Sequence, residues 1–219
     1  MSRIRLTIIL AVAVIGVFGA TPVAAAGPDP ILLVHGYRGN PATWADMIAR
    51  FKAKGRTAVA IDLASENNVT NATAIGAFIA KRGWKRVDIV AQSMGGLSAR
   101  WFIKFDWSSA IVDSYVSLGT PQYGIYAACV LPRSYGGQMC PASAFLRDLN
   151  SGDDTPGHTA WTTIYSTADE FVPNSSSRLD GGACFVRVTG VHHNDMDNDA
   201  GIFAHVLAAV DGTCTGTFK

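Results

Sequence analysis

Val87-Asp88-Ile89-Val90-Ala91-Gln92-Ser93-Met94-Gly95-Gly96 decides how the rest of the chain is read. Its first four residues are a short, largely apolar, β-branched run, and a helical pattern opens at Met94. Ser93 therefore falls at the apex of a strand–turn–helix. Strand and helix come this close only when the residues two before and two after the serine are small, and Ala91 and Gly95 are. The bare pattern small-x-Ser-x-Gly also occurs in ordinary turns. What distinguishes this one is its place between a strand and a helix.

Upstream, Ile31-Leu32-Leu33-Val34 runs straight into His35-Gly36-Tyr37-Arg38-Gly39, a buried strand followed by a glycine-bearing loop. Beside a serine turn, such a loop supplies one backbone N–H to a developing oxyanion, and the residue after the serine supplies another. Tyr37 and Met94 are those two candidates. Helical spacing covers residues 41–54, 70–82 and 94–105, with Gly55 and Gly83 closing the first two. Strands are expected at 57–63, 111–118, 161–166 and 184–188, and a closing helix at 200–210, capped by Asp199. Between them, residues 122–160 break into Gly, Pro, Cys and Ser, with one helical set at 142–149. Alternating strands and helices predict about six mostly parallel strands covered by helices on both faces.

The chain opens with Arg3 and Arg5, an apolar stretch from Leu6 to Phe18 and then Ala24-Ala25-Ala26, which reads as a secretory leader over residues 1–26. Residues 27–219 then form one domain with no linker or repeat. Of 18 Lys and Arg against 17 Asp and Glu, two belong to the leader, so the exported chain is near neutral and nothing steers it toward nucleic acid. Export places Cys129, Cys140, Cys184 and Cys214 where disulfides persist. Of three possible pairings, Cys129–Cys140 would pin the Gly/Pro-rich excursion and Cys184–Cys214 would tie a late strand to the carboxyl terminus. The spacings do not match zinc ligand pairs.

A serine hydroxyl becomes a useful nucleophile when a histidine takes its proton and an acid fixes that histidine's tautomer. With the order Ser, acid, His, the acid should lie just past a strand end. Ile164-Tyr165-Ser166-Thr167-Ala168-Asp169 places Asp169 there, with Glu170 as its competitor. The histidine should follow the last strand, where His192 and His193 arrive together and spacing does not choose between them. His158 and His205 fall in the excursion and the closing helix, positions of surface or packing.

At this point the chain resembles the small secreted bacterial lipases of lipase class 2, including the lidless Bacillus type and its actinobacterial relatives. Val34-His35-Gly36 with Gly39, Ala91-x-Ser93-Met94-Gly95-Gly96, Ser117-Leu118-Gly119-Thr120-Pro121, Ile164-Tyr165-Ser166-x-Ala168-Asp169, Ser177-Arg178-Leu179-Asp180-Gly181 and Gly190-Val191-x-His193 carry the likeness. The resemblance implies a minimal α/β-hydrolase fold with Ser93 as nucleophile, Asp169 as acid, His193 as base and the Tyr37 and Met94 amides as oxyanion donors. It implies no metal or organic cofactor. Two departures stand out. Gln92 occupies a place where relatives usually carry histidine. After His193, Asn194-Asp195-Met196-Asp197-Asn198-Asp199 replaces a more apolar stretch, and acids near the imidazole would favour its protonated form.

Asp195-x-Asp197-x-Asp199 resembles the start of a calcium loop. However, Ala200 stands where glycine is wanted and Val206 where a bidentate acid is wanted, so acids solvating a helix amino terminus fit better. Asn68, Asn71 and Asn174 open glycosylation-type triplets that carry no weight in a bacterial-looking chain. Tyr37, Ile125, Tyr126, Val130, Leu131, Phe171 and Val172 are the candidate acyl-groove walls, on loops leaving the carboxyl ends of strands. The expectation is a secreted monomeric esterase or lipase acting on ester or lipid substrates, in part at a lipid–water interface, with no membrane anchor after leader cleavage. A polyester depolymerase or acyltransferase would use the same residues. A non-catalytic binding protein on this scaffold would lack one of them.

Overall fold

The computed structural model describes residues 28–106 and 110–218; the expected leader and its cleavage site lie outside them. The strands are β1 (Ile31–Val34), β2 (Ala58–Ile61), β3 (Val87–Gln92), β4 (Val112–Leu118), β5 (Ala160–Ser166), β6 (Cys184–Val188) and β7 (Thr217–Phe218). They form one sheet in the order β2-β1-β3-β4-β5-β6-β7. The first six are parallel throughout, and β7 runs antiparallel to β6 through Cys184↔Phe218 and Phe185↔Thr217. The sheet thus has seven strands and not about six. A two-residue strand is too short to show any hydrophobic period, which is why the sequence does not announce it.

Every residue of β1 and β3 is buried because helices cover both faces. The helices are α1 (Ala45–Ala53), α2 (Asn68–Arg82), α3 (Met94–Phe105), α4 (Ala144–Leu149), α5 (Asn174–Ser177) and α6 (Ala200–Val210). Alternate side chains of β1 go to opposite faces, as the pleat requires. Leu32 and Val34 pack with Ile75 and Ile79 of α2 and Phe102 of α3. Ile31 and Leu33 pack with Phe51 of α1 and Ile202 and Val206 of α6. Among the described residues no helix is long and apolar enough to cross a membrane.

Side-chain caps set several boundaries. The segment expected as one helix from residue 41 begins instead as a 3₁₀ turn, Pro41–Trp44, whose Ala42 N–H donates to the Asn40 side chain. Asn67 starts α2 two residues earlier than hydrophobic spacing indicates, its Oδ1 accepting from the N–H of Val69 and Thr70, both at 3.0 Å. Gly83, left-handed at φ 66°, ends it.

The excursion after β4 is fastened to α3 by two cations one helical turn apart. Arg100 is fully buried and donates to the Asn150 side chain at 2.7 Å, the Asp154 carboxylate at 2.6 Å and the Leu149 carbonyl at 3.3 Å. Lys104 donates to the carbonyls of Leu149, Ser151 and Asp153. Such charge-assisted bonds are about twice as strong as neutral ones. Disulfides join Cys129 to Cys140 inside the excursion and Cys184 of β6 to Cys214. The excursion also reaches α2: Gln138 Oε1 accepts from the backbone N–H and the side chain of Asn68, which is itself fully buried. Asn71 is likewise buried and donates to the Ser65 carbonyl, so neither asparagine is presented as an acceptor for a glycan.

At the amino end of the sheet, Asp88 sits 3.2 Å from an Arg56 Nη, and Arg56 also pairs with Asp211. Burial pushes the Asp88 carboxyl up to about 7, and Arg56 only partly opposes it. A folded-state pKa above the unfolded value means the fold binds the extra proton. The associated stability is complete below the unfolded value, near 4, and is lost as pH rises through about 7. We expect unfolding free energy to fall by about 4 kcal/mol more in the wild type than in Asp88→Asn over that window. Denaturant titrations at several pH values measure this, and parallel curves for the two proteins would contradict it.

Candidate active site

β3 ends at Gln92, and the next residue, Ser93, has φ 53° and ψ −131°. Among the described residues, Arg38 is the one other non-glycine at positive φ. Holding a serine there costs about 1–3 kcal/mol and needs support from its surroundings. Its N–H donates to the Leu118 carbonyl of β4 at 2.9 Å, and its carbonyl accepts from the Gly96 N–H at 3.1 Å. Close approach does the rest. A Cβ on Gly95 would lie 2.3 Å from the His35 carbonyl, and one on Gly36 would lie 2.8 Å from Ser93 Cβ. The 35–39 loop and the start of α3 can therefore close around Ser93 because both contacts are made by glycine. His35 belongs to this framework: its Nε2 accepts from the Leu63 N–H at 3.1 Å.

Asp169 lies just beyond β5 and His193 beyond β6, opening a 3₁₀ turn. The His193 Nδ1 is 2.9 Å from Asp169 Oδ2, with both side chains almost wholly buried. The other Asp169 oxygen accepts from the N–H of Phe171 at 2.9 Å and of Val172 at 2.8 Å. A carboxylate cannot donate, so Nδ1 carries the proton in this pair and Nε2 keeps its lone pair. The adjacent residues diverge: His192 is exposed, while Glu170 reaches the base through its backbone, with Oε2 accepting from the His193 N–H at 3.2 Å. Hydrogen bonds from its own N–H and that of His193 hold the Glu170 carboxyl below its ordinary value.

Three neighbours of this pair were given no such role by spacing. Gln92 Nε2 donates to the His193 carbonyl at 3.2 Å, so His193 is held at its ring, its N–H and its C=O. Gly119, at φ 54°, backs the Asp169–His193 pair. A Cβ there would lie 2.8 Å from Asp169 Oδ2 and 3.2 Å from His193 Nδ1. The third, Phe171, meets the His193 ring edge-on at a centroid distance of 5.4 Å.

Ser93 and His193 line one cleft of about 230 Å³ together with Tyr37, Gln92, Ile125, Met139, Phe171, Val172 and Asn194. Met94 is the first residue of α3, so its N–H is one of those a helix leaves without an intrahelical acceptor. Four of the expected groove residues, Tyr37, Ile125, Phe171 and Val172, line the cleft. Tyr126 lines a neighbouring cavity instead. Val130 and Leu131 line neither. The 3₁₀ turn Tyr126–Val130 leaves Val130 exposed, and Leu131 packs on the cluster of Met94, Met139 and Phe145. Met139, next to the disulfide partner Cys140, lines the cleft where Val130 was expected.

The acids after His193 are dispersed. Asp199 caps α6, accepting from the Ile202 N–H at 2.8 Å. Asp197 is buried, and burial pushes its carboxyl up. Among the described residues, no three His, Cys, Asp or Glu side chains are grouped to hold a metal ion. The cleft thus presents a serine hydroxyl, an imidazole oriented by a buried carboxylate, and backbone N–H groups at a helix start. Together these are the means for nucleophilic attack on an acyl carbon.

A sequence profile described as lipase (class 2) matches residues 28–202. Among solved structures, a mature Bacillus licheniformis lipase superposes with a TM-score of 0.71 at 18% identity, covering 87% of this chain and 96% of that one. An α/β-hydrolase from a lagoon-sediment metagenome gives 0.63 at 20% identity over 83% and 89% of the two chains. A Rhodococcus esterase gives 0.61 at 14% identity over 84% and 90%. At these identities the structural likeness establishes the α/β-hydrolase fold.

Gly119→Ala should push Asp169 and His193 apart at a cost of about 1–3 kcal/mol in stability. The low-field proton resonance of the His193 Nδ1–H reads the pair directly. It should shift upfield or vanish in the variant, and an unchanged resonance would refute this role for Gly119.

Proposed function

The chain belongs to the class 2 lipase family and is a carboxylic ester hydrolase; from that premise we propose that it is a secreted lipase-type esterase working through Ser93, His193 and Asp169. The observation that carries the reading is the buried Asp169–His193 pair in the same cleft as the strained Ser93. In this mechanism His193 Nε2 takes the hydroxyl proton as Ser93 attacks the ester carbonyl, and Asp169 stabilises the imidazolium. The amides of Met94 and Tyr37 receive the developing oxyanion. His193 then protonates the leaving alcohol, and water, activated by the same base, clears the acyl-enzyme.

Cleft composition supports an apolar acyl group: Tyr37, Ile125, Met139, Phe171 and Val172 surround the serine. Exposed Tyr126 and Phe171 at the rim favour contact with a lipid–water interface. The enzyme acts as a monomer with its ester substrate as partner, without nucleic acid and without a membrane anchor once the leader is removed. Two disulfides support an oxidising, extracellular location. Because the excursion is pinned by a disulfide and by Arg100 and Lys104, we expect little interfacial activation.

Hydrolysis of p-nitrophenyl esters from acetate to palmitate by the mature protein tests this, with Ser93→Ala alongside. Loss of the serine should lower kcat by roughly 10⁶. Near-wild-type turnover in that variant would refute the assignment. A preference for medium or long chains would favour lipase over simple esterase. The rate should also rise smoothly through the substrate's solubility limit, and a sharp jump there would refute the fixed excursion.

A further inference from the structure

The cleft at Ser93 has a neighbour on the same loops. Ile125 and Phe171, which bound the cleft, also bound a second cavity of about 400 Å³. Tyr123 and Ser175 of that cavity belong in turn to a third, of about 350 Å³, whose remaining lining is Arg178 and Asp180. Shared lining residues thus set three cavities side by side, the first at the serine and the last at a guanidinium. Their lining changes from Ile125 and Phe171 through the hydroxyl residues Ser175 and Tyr123 to charge.

Arg178 has no carboxylate within ion-pairing distance among the described residues. Its guanidinium lies over the Phe185 ring at 4.9 Å, and its Nε is buried without a hydrogen-bond partner. The contrast with Arg100, whose donors reach three side chains and two carbonyls, is direct. A buried donor left unmet carries a desolvation cost, so this guanidinium is held less completely by the protein than that of Arg100. The planar fork of a guanidinium matches the geometry of a carboxylate, and Arg178 lines the third cavity. Asp180 lines the same cavity, and its charge moderates the attraction for an anion.

We propose that this row of cavities is an extended subsite in which Arg178 holds the carboxylate end of a long ester limb. The preferred substrates are then esters that carry a negative charge several carbons from the scissile bond, such as an ω-carboxyacyl ester or the acid end of an oligoester. The proposal rests on the assignment of Ser93 as nucleophile and adds no bond-making step: the ester bond broken is the same one, and Arg178 acts on binding alone.

The test compares kcat/KM for p-nitrophenyl monoesters of dicarboxylic acids, from succinate to tetradecanedioate, with neutral p-nitrophenyl alkanoates of matched length. The charged-to-neutral ratio should peak at one chain length and fall as salt rises. At the peak it should drop about tenfold in Arg178→Gln, equivalent to about 1.4 kcal/mol, and rise in Asp180→Asn. Acetyl esters of ω-hydroxy acids place the charge on the alcohol limb. An Arg178 effect in either series supports the subsite and tells which limb occupies it. A ratio without a peak in both series, or one that neither substitution moves, overturns it. If Arg178→Gln does not fold, the salt dependence and Asp180→Asn still decide. Ser93→Ala separates the two levels: turnover surviving in that variant refutes the nucleophile assignment, whereas turnover lost with a flat ratio refutes the subsite alone.

Discussion

A serine held at positive φ depends on how closely other backbone can approach it. At Ser93 the required closeness comes from glycines: Gly95 against the His35 carbonyl and Gly36 against the serine's own Cβ. The surrounding geometry follows from that contact. The 35–39 loop lies against the turn, so Tyr37 stands beside the serine, and α3 starts with Met94 at the same place. The strain is small against the apolar burial on both faces of β1 and β3, so the sheet's centre is where such a turn can be sustained. An edge strand, with one neighbour fewer, would offer no carbonyl equivalent to that of Leu118.

α3 links this turn to the irregular part of the molecule. Its first residues form the turn, Phe102 packs under the sheet, and Arg100 and Lys104 gather the carbonyls and carboxylate of residues 149–154. Ile125 and Met139, which line the cleft, are themselves joined by a hydrogen bond from the Ile125 N–H to the Met139 carbonyl at 2.8 Å. One wall of the cleft is therefore built from a segment of short turns, yet it is fastened to a long helix.

The parallel strands and main helices were legible because burial on two faces leaves long apolar runs, and burial on one face leaves a helical period. Chain order and strand ends pointed to Asp169, with Glu170 beside it, and to His192 and His193 together; the family resemblance singled out His193, whose Nδ1 lies 2.9 Å from Asp169 Oδ2. Other features left no such mark. Gln92 and Glu170 hold His193 by its carbonyl and N–H, and a contact to backbone has no residue pattern of its own. Gly119 reads as a strand terminator, although the space it leaves is filled by Asp169 and His193. Val130 and Leu131 were expected in the groove because they lie on a loop leaving the carboxyl end of a strand. Which residues of a cross-linked loop face inward is decided by the 3₁₀ turn and the disulfide, and neither periodicity nor composition encodes that.

β7 gives the far side of the sheet a different character from the catalytic end. It covers the open hydrogen-bonding edge of β6 for two residues, fits there because Gly216 lets its backbone pass against Phe185, and is anchored nearby by Cys184–Cys214. Farther along the same strand, Arg187 is exposed and charged. An uncovered, neutral edge is a template for strand addition by another molecule. The terminal strand, its disulfide and that arginine therefore act as a guard against aggregation, and reducing the disulfide would first endanger colloidal behaviour, at a place remote from the chemistry.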